Sequence, residues 1–223
     1  NGDHVGADYS AGSFEIYTGY SPGGAPVATG KKLFHPDTKN LCNNDIALLL
    51  LKNAVPGAKP MPLRLDFGPA IGELTMAIGY GKTTKSDASS GLRYRRADIP
   101  VLSNGRDWNY LNGANEFVMG QSTCQGDSGG PILAMASSAI LGVTSRGGDC
   151  FTGEQHFTKV AAHKDLILAA FAEAAASPVA EGLAPPPDPG LGSTGQDACV
   201  TGAECKKALC YKGLCSDLCQ PGS

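Results

Sequence analysis

Cys124-Gln125-Gly126-Asp127-Ser128-Gly129-Gly130-Pro131 is the stretch on which the reading of this chain turns. Glycines on both sides of Asp127-Ser128 permit a backbone conformation closed to residues that carry a Cβ. Such a turn can aim the amides of Gly126 and Ser128 at one point, where a developing oxyanion would meet donors already in place. Ser128 then presents its hydroxyl beside that point. A bare Gly-Asp-Ser-Gly could be a turn without chemical meaning; the full octet, closed by a cysteine and a proline, is far more specific.

Outward from the octet, short β-rich runs at 14–18, 46–51, 74–78, 131–134 and 140–144 are separated by clusters of Gly, Pro, Asn and Ser. That spacing predicts an all-β sandwich or barrel. From 161 to 176 the period changes: Leu166, Ile167, Ala170 and Phe171 form one helical face, closed by Ser177-Pro178. Residues 177–197, with Pro185-Pro186-Pro187 and several glycines, read as an extended linker. The remaining 198–223 hold Cys199, Cys205, Cys210, Cys215 and Cys219 in too few residues for an apolar core, so disulfides are expected to stabilise a small module there. Five cysteines cannot all pair internally. Either a sixth lies beyond Ser223, or one reaches Cys42 or another chain; the competing reading, a metal, lacks histidine and any Cys-x-x-Cys pair to support it. The organisation is thus 1–176, 177–197 and 198–223, with no metal expected.

Composition narrows the function classes. The 223 residues carry 18 basic and 21 acidic side chains for a net charge of −3, with neither sign gathered into a long run, which argues against nucleic acid as a partner. Apolar runs such as 46–51 are too short to cross a bilayer. Eight cysteines suit an oxidising compartment, so a secreted or extracellular protein, conceivably held at a cell surface, is expected. The first residue is Asn1 rather than Met, as in a processed product or a fragment of a longer reading frame.

The octet resembles the nucleophile motif of the trypsin/chymotrypsin family of serine proteases, and further segments match in order. Asn44-Asp45-Ile46-Ala47-Leu48-Leu49 resembles the acid-bearing segment, preceded at the usual interval by Phe34-His35-Pro36. Gly79-Tyr80-Gly81 stands where the family usually has Gly-Trp-Gly, and Gly142-Val143-Thr144-Ser145-Arg146-Gly147 is similar to the substrate-binding strand. Gly91-Leu92-Arg93 with 97–101 resembles the start of the second barrel. The resemblance covers about 14–176. It implies two six-stranded Greek-key β-barrels of the trypsin-like type, the first truncated, with a C-terminal helix and then the small disulfide-rich module.

It also implies an activity: a serine endopeptidase acting through an acyl-enzyme on protein or peptide substrates, without cofactor. A serine hydroxyl near its free pKa is a poor nucleophile and needs a neighbouring base, whose tautomer a buried acid fixes. The resemblance makes Ser128 the nucleophile, Asp45 the acid, and the amides of Gly126 and Ser128 the oxyanion donors. It puts Ser122 at the floor of the primary pocket, Ser145 and Gly147 on the substrate strand, and Gln155 on the pocket wall. A one-residue shift would put Glu154 on that wall instead. Ser122 is uncharged, so medium-sized apolar residues are expected before the scissile bond, whereas Glu154, or Asp149 from the rim, would favour Lys and Arg. Cys124 and Cys150 match a family disulfide. Asp127 corresponds to the residue that pairs with a new N-terminal amine after zymogen cleavage. No acidic residue lies between Tyr17 and Gly30, so no calcium loop is expected.

The base departs from the pattern. Counting back from Asp45 by the family interval lands near residue 1, where Asp3-His4-Val5 lacks the flanking alanines and the cysteine. His35 falls in a His-Pro turn, His156 near the pocket wall and His163 on the terminal helix. The base is therefore expected upstream of Asn1, and the chain alone is expected to be inactive. A second reading from another class is a catalytically inactive homologue serving as a binding module, with the cysteine-rich tail contacting a protein or surface ligand.

Overall fold

A computed structural model describes residues 9–21, 23–38, 40–85 and 91–182, together with the backbone of two short strands in the cysteine-rich segment. The first part is a three-stranded antiparallel sheet in the order β1-β2-β3: β1 (Glu15–Ile16), β2 (Ala28–Phe34) and β3 (Leu48–Leu51). The second is a closed barrel in the order β4-β5-β6-β9-β8-β7: β4 (Leu74–Gly79), β5 (Tyr94–Asn104), β6 (Glu116–Met119), β7 (Pro131–Ala134), β8 (Ile140–Gly147) and β9 (Gln155–Lys159). All neighbouring strands run antiparallel.

Closure gives the barrel an inside, which its strands fill. Phe117 on β6 faces Phe157 on β9 in register, and their rings stack 5.1 Å apart with Val101, Ile132 and Leu141 around them, all essentially inaccessible. Every residue of β6 is buried. Ala161–His163 form a 3-10 turn leading into α1 (Lys164–Glu173). Ile167 of α1 packs with Leu65 and Val160, and partly buried Leu48 and Phe171 join them, so the helix bridges sheet and barrel.

Compared with the sequence expectation, the strand expected over 14–18 shortens to Glu15–Ile16, and the helix proper ends at Glu173. Strands β2, β6 and β9 are additional; their leading residues are small or polar, so no apolar alternation marks them. Past the helix the chain turns back onto the barrel: Leu63 N–H donates to Val179, Glu181 N–H donates to Leu63, and Ala180 bridges Leu63 in parallel. In the cysteine-rich segment β10 (Cys210–Tyr211) and β11 (Leu214–Cys215) form an antiparallel pair. The remainder of 183–223 lies outside the described residues, as does the expected pairing of its cysteines. No described helix is long and apolar enough to cross a membrane.

Candidate active site

The octet forms a sharp turn leading into β7. Gly126 and Gly129 have φ of 97° and 80°, in the region that favours glycine. A Cβ on Gly126 would also come within 3.0 Å of Gly81 Cα, so the residue is required for packing as well as for conformation. Within the turn, Asp127 N–H donates to Cys124 O and Gly130 N–H to Asp127 O. The amides of Gly126 and Ser128 donate to no backbone carbonyl among the described residues. Ser128 itself is exposed.

Asp127 points inward instead. Its Oδ1 accepts from Gly81 N–H at 2.7 Å and its Oδ2 from Cys124 N–H at 2.8 Å. The carboxylate fills the space that a Cβ on Gly79 would need, which accounts for the glycines of Gly79-Tyr80-Gly81. A cavity of about 360 Å³ lies beside it, its lining including Gly81, Ser122, Asp127, Cys150 and Phe151. Cys124 and Cys150 are joined by a disulfide, with Cα atoms 4.9 Å apart.

Asp45 reaches the barrel from the sheet side. Its Oδ2 accepts from the Ser145 hydroxyl at 2.6 Å. Thr144, the neighbour of Ser145 on β8, is tied to the octet in both directions: Gly129 N–H donates to Thr144 O at 3.0 Å and Thr144 N–H to Gly130 O at 2.9 Å. Asp45, Ser145 and the Ser128 turn therefore converge on one end of β8.

The expected pocket residues are distributed unevenly. Gln155 is buried and pairs with Gly147 across β8 and β9; a Cβ on Gly147 would strike the Gln155 amide. Glu154, its neighbour, is exposed. Ser122 is buried, and its hydroxyl has no hydrogen-bond partner. Asp149 stands on an exposed loop, where it accepts from Phe151 N–H and faces Lys85 at 3.7 Å.

Among the described histidines none bonds Asp45 or Ser128. His35 Nδ1 lies 3.0 Å from Pro36 O, His163 Nε2 lies 3.0 Å from Asn43 O, and His156 Nδ1 has no partner. Burial lowers the pKa of both His156 and His163. His4 lies outside the described residues. No group of three or more metal-ligating side chains occurs among the described residues.

Sequence reading missed two residues of this region, Glu116 and Arg146. Glu116 is wholly buried and forms a bidentate ion pair with Arg146, which stands on β8 between Ser145 and Gly147. A glutamate placed directly before Phe117-Val118-Met119 was the available signal, because an acid heading a buried strand must find a cation.

A closed six-stranded antiparallel barrel followed by a short C-terminal helix is the architecture of the chymotrypsin-like class of folds. The Trypsin family profile matches residues 3–167, and the chain belongs to that family. Human serine protease 1 is 34% identical over 136 residues, covering 56% of this chain and 54% of that protein. The pig complement C1s subcomponent is 27% identical over 176 residues, covering 63% of this chain and 25% of its own. The chain thus spans about half, or less, of these relatives. Among solved structures, mouse neuropsin superposes with a TM-score of 0.54 at 21% identity, covering 64% of this chain and 70% of its own, and a human heparin binding protein mutant with 0.55 at 22%, covering 68% of each. At that identity they show the fold alone.

Proposed function

We propose that this chain is the catalytic portion of a secreted serine endopeptidase that cleaves peptide bonds through an acyl-enzyme on Ser128. One observation carries the reading: the Ser128 turn, with its two uncommitted amides, is bonded to the strand whose Ser145 holds Asp45.

In this reading a histidine preceding Asn1 removes the Ser128 proton as Oγ attacks the scissile carbonyl carbon, and Asp45 fixes the tautomer and stabilises the imidazolium. The tetrahedral oxyanion accepts from the Gly126 and Ser128 amides, which lose no other partner in doing so. The imidazolium then protonates the leaving amine, and water, deprotonated by the same imidazole, releases the acid product. Ser122 at the pocket floor and Gln155 on its wall offer no charge and little depth, which favours medium-sized apolar residues before the scissile bond. The Cys124–Cys150 disulfide supports an oxidising, extracellular setting.

The test is a full-length protein carrying its upstream segment, treated with a fluorophosphonate. Labelling should fall on Ser128 and vanish in Ser128→Ala. Asp45→Asn should keep the fold and lose about 10⁴-fold in turnover, the cost of the wrong tautomer. Near-full activity in Asp45→Asn would assign the acid elsewhere. A folded full-length protein that takes no label would favour the inactive binding module.

A further inference from the structure

Glu116 carries the most committed carboxylate in the described structure. It opens β6 at 0% exposure, yet four donors from three separate segments converge on it. Both terminal nitrogens of Arg146 bond it, Nη1 to Oε1 and Nη2 to Oε2, the latter at 2.8 Å. Asn43 N–H donates to Oε1 at 3.0 Å and Gly113 N–H to Oε2 at 2.8 Å. Burial alone would push this carboxyl up; the bonds from Arg146, Asn43 and Gly113 outweigh it and hold the group below the usual carboxylate range.

Asn43 gives that arrangement its direction. It stands two residues before Asp45 with φ of 70°, a left-handed conformation that costs a residue with a Cβ. The conformation is held from every side. Besides the bond to Glu116, Asn43 Oδ1 accepts from Asn115 N–H at 2.9 Å, its carbonyl faces His163 Nε2 at 3.0 Å, and its side chain occupies the space a Cβ on Gly113 would need. The turn carrying Asp45 belongs to the sheet in chain order, but it is fastened to the start of β6 at Glu116 and Asn115 and to the 3-10 turn at His163. The same Arg146 that neutralises Glu116 is the neighbour of Ser145, the Asp45 partner.

A buried ion pair adds little net stability over apolar packing, so stability alone does not account for this one. We propose that Glu116, together with Arg146, is a positioning residue: it fixes the left-handed turn at Asn43 and, through it, the Asp45 carboxylate against Ser145 and the Ser128 turn. The catalytic consequence rests on the endopeptidase reading; the placement of the turn does not.

The experiment uses the full-length protein and two readouts, amide hydrogen exchange over 41–46 and steady-state kinetics. Glu116→Gln should speed exchange over 41–46 by at least about tenfold and lower kcat by about ten- to a hundredfold, with KM within about twofold, because a small misplacement of a catalytic group is felt in turnover. Unchanged exchange over 41–46, or a loss confined to KM, overturns the proposal. Because Glu116→Gln takes the counter-charge from a half-buried Arg146 and could prevent folding, Asn43→Gly and Asn43→Ala give a second route. Asn43→Gly keeps the left-handed backbone and removes the bond to Asn115 with the packing on Gly113; Asn43→Ala also burdens the backbone. Exchange should rise in both, more in Asn43→Ala, with kcat falling in the same order. Wild-type exchange and kcat in Asn43→Ala, whose backbone is burdened, overturn the link from this turn to Asp45. If the wild-type protein hydrolyses nothing, the endopeptidase reading fails, while the exchange data still decide whether Glu116 holds the turn.

Discussion

The closed barrel and the three-stranded sheet are written with similar apolar runs and bury them differently. In β6 all of Glu116–Met119 are buried, whereas in β3 each of Leu48–Leu51 is only half-buried, although four consecutive leucines are the more hydrophobic sequence. The barrel is closed and surrounds its side chains. Among the described residues the sheet has three strands and does not close, and Leu48–Leu51 line an apolar groove of about 540 Å³ with Ala54, Ala170 and Phe171. Within these residues burial follows closure of the sheet and not hydropathy of the strand. The consequence reaches the candidate site, because Ser128 is mounted on the barrel while Asp45 leads into the sheet and depends on bonds that cross between them.

The largest expected effect tests the barrel. Phe117→Ala should destabilise the protein by about 3–5 kcal/mol, read from the urea midpoint, while Leu50→Ala in β3 should cost about 1 kcal/mol. Equal losses would break the contrast. Ser145→Ala tests the crossing bond at 2.6 Å to Asp45. A hydrogen bond to a charged group contributes about 1.5–3 kcal/mol, so the rate of Ser128 labelling in the full-length protein should fall by roughly tenfold or more. An unchanged rate would mean that the Glu116 clamp holds Asp45 without Ser145.

The smallest effect is with pH. Burial depresses His163, only partly offset by its bond to the Asn43 carbonyl. On acidification the unfolded imidazole is protonated first, near its ordinary value of 6.5, so stability is full above that pH and declines as pH falls toward the folded value. His163→Gln should flatten this slope by at most about 1.4 kcal/mol per pH unit. A slope unchanged in His163→Gln would place the acid sensitivity on His156, which burial depresses in the same direction.

The parts legible in the sequence were those where local chemistry and tertiary role coincide. Pro131–Ala134 was read to the residue, because a glycine turn precedes it and Ser137-Ser138 follow shortly after. The left-handed glycines of the Ser128 turn could be read in the same way, since only glycine serves there. Strands β6 and β9 could not. Glu116 and Gln155 head them as buried polar residues, and Thr158 inside β9 is buried as well. Polarity at those positions is a property of what lies across the sheet, Arg146 for Glu116 and Gly147 for Gln155, and it takes the strand pairing to bring those partners together. Asn43 belongs to the same group: in the chain it is one of two asparagines before an aspartate, and its role appears only once Glu116 and Asn115 are beside it.

Arg64 is buried and forked between two acids, Glu73 at 2.8 Å and Glu181, which also takes the Ser137 hydroxyl. Leu63, its neighbour, is paired on both sides with Val179–Glu181. These bonds make the stretch after α1 an anchor, with its fastening on the 63–64 segment beside β8 and not on the helix. Tension applied to the chain beyond Gly182 would reach the Arg64 fork before it reached α1, so the helix and the sheet it covers are shielded from whatever pulls on the C-terminal segment. Loss of the segment beyond Ser177 would remove that shield and leave a buried guanidinium with Glu73 as its one remaining counter-ion among the described residues.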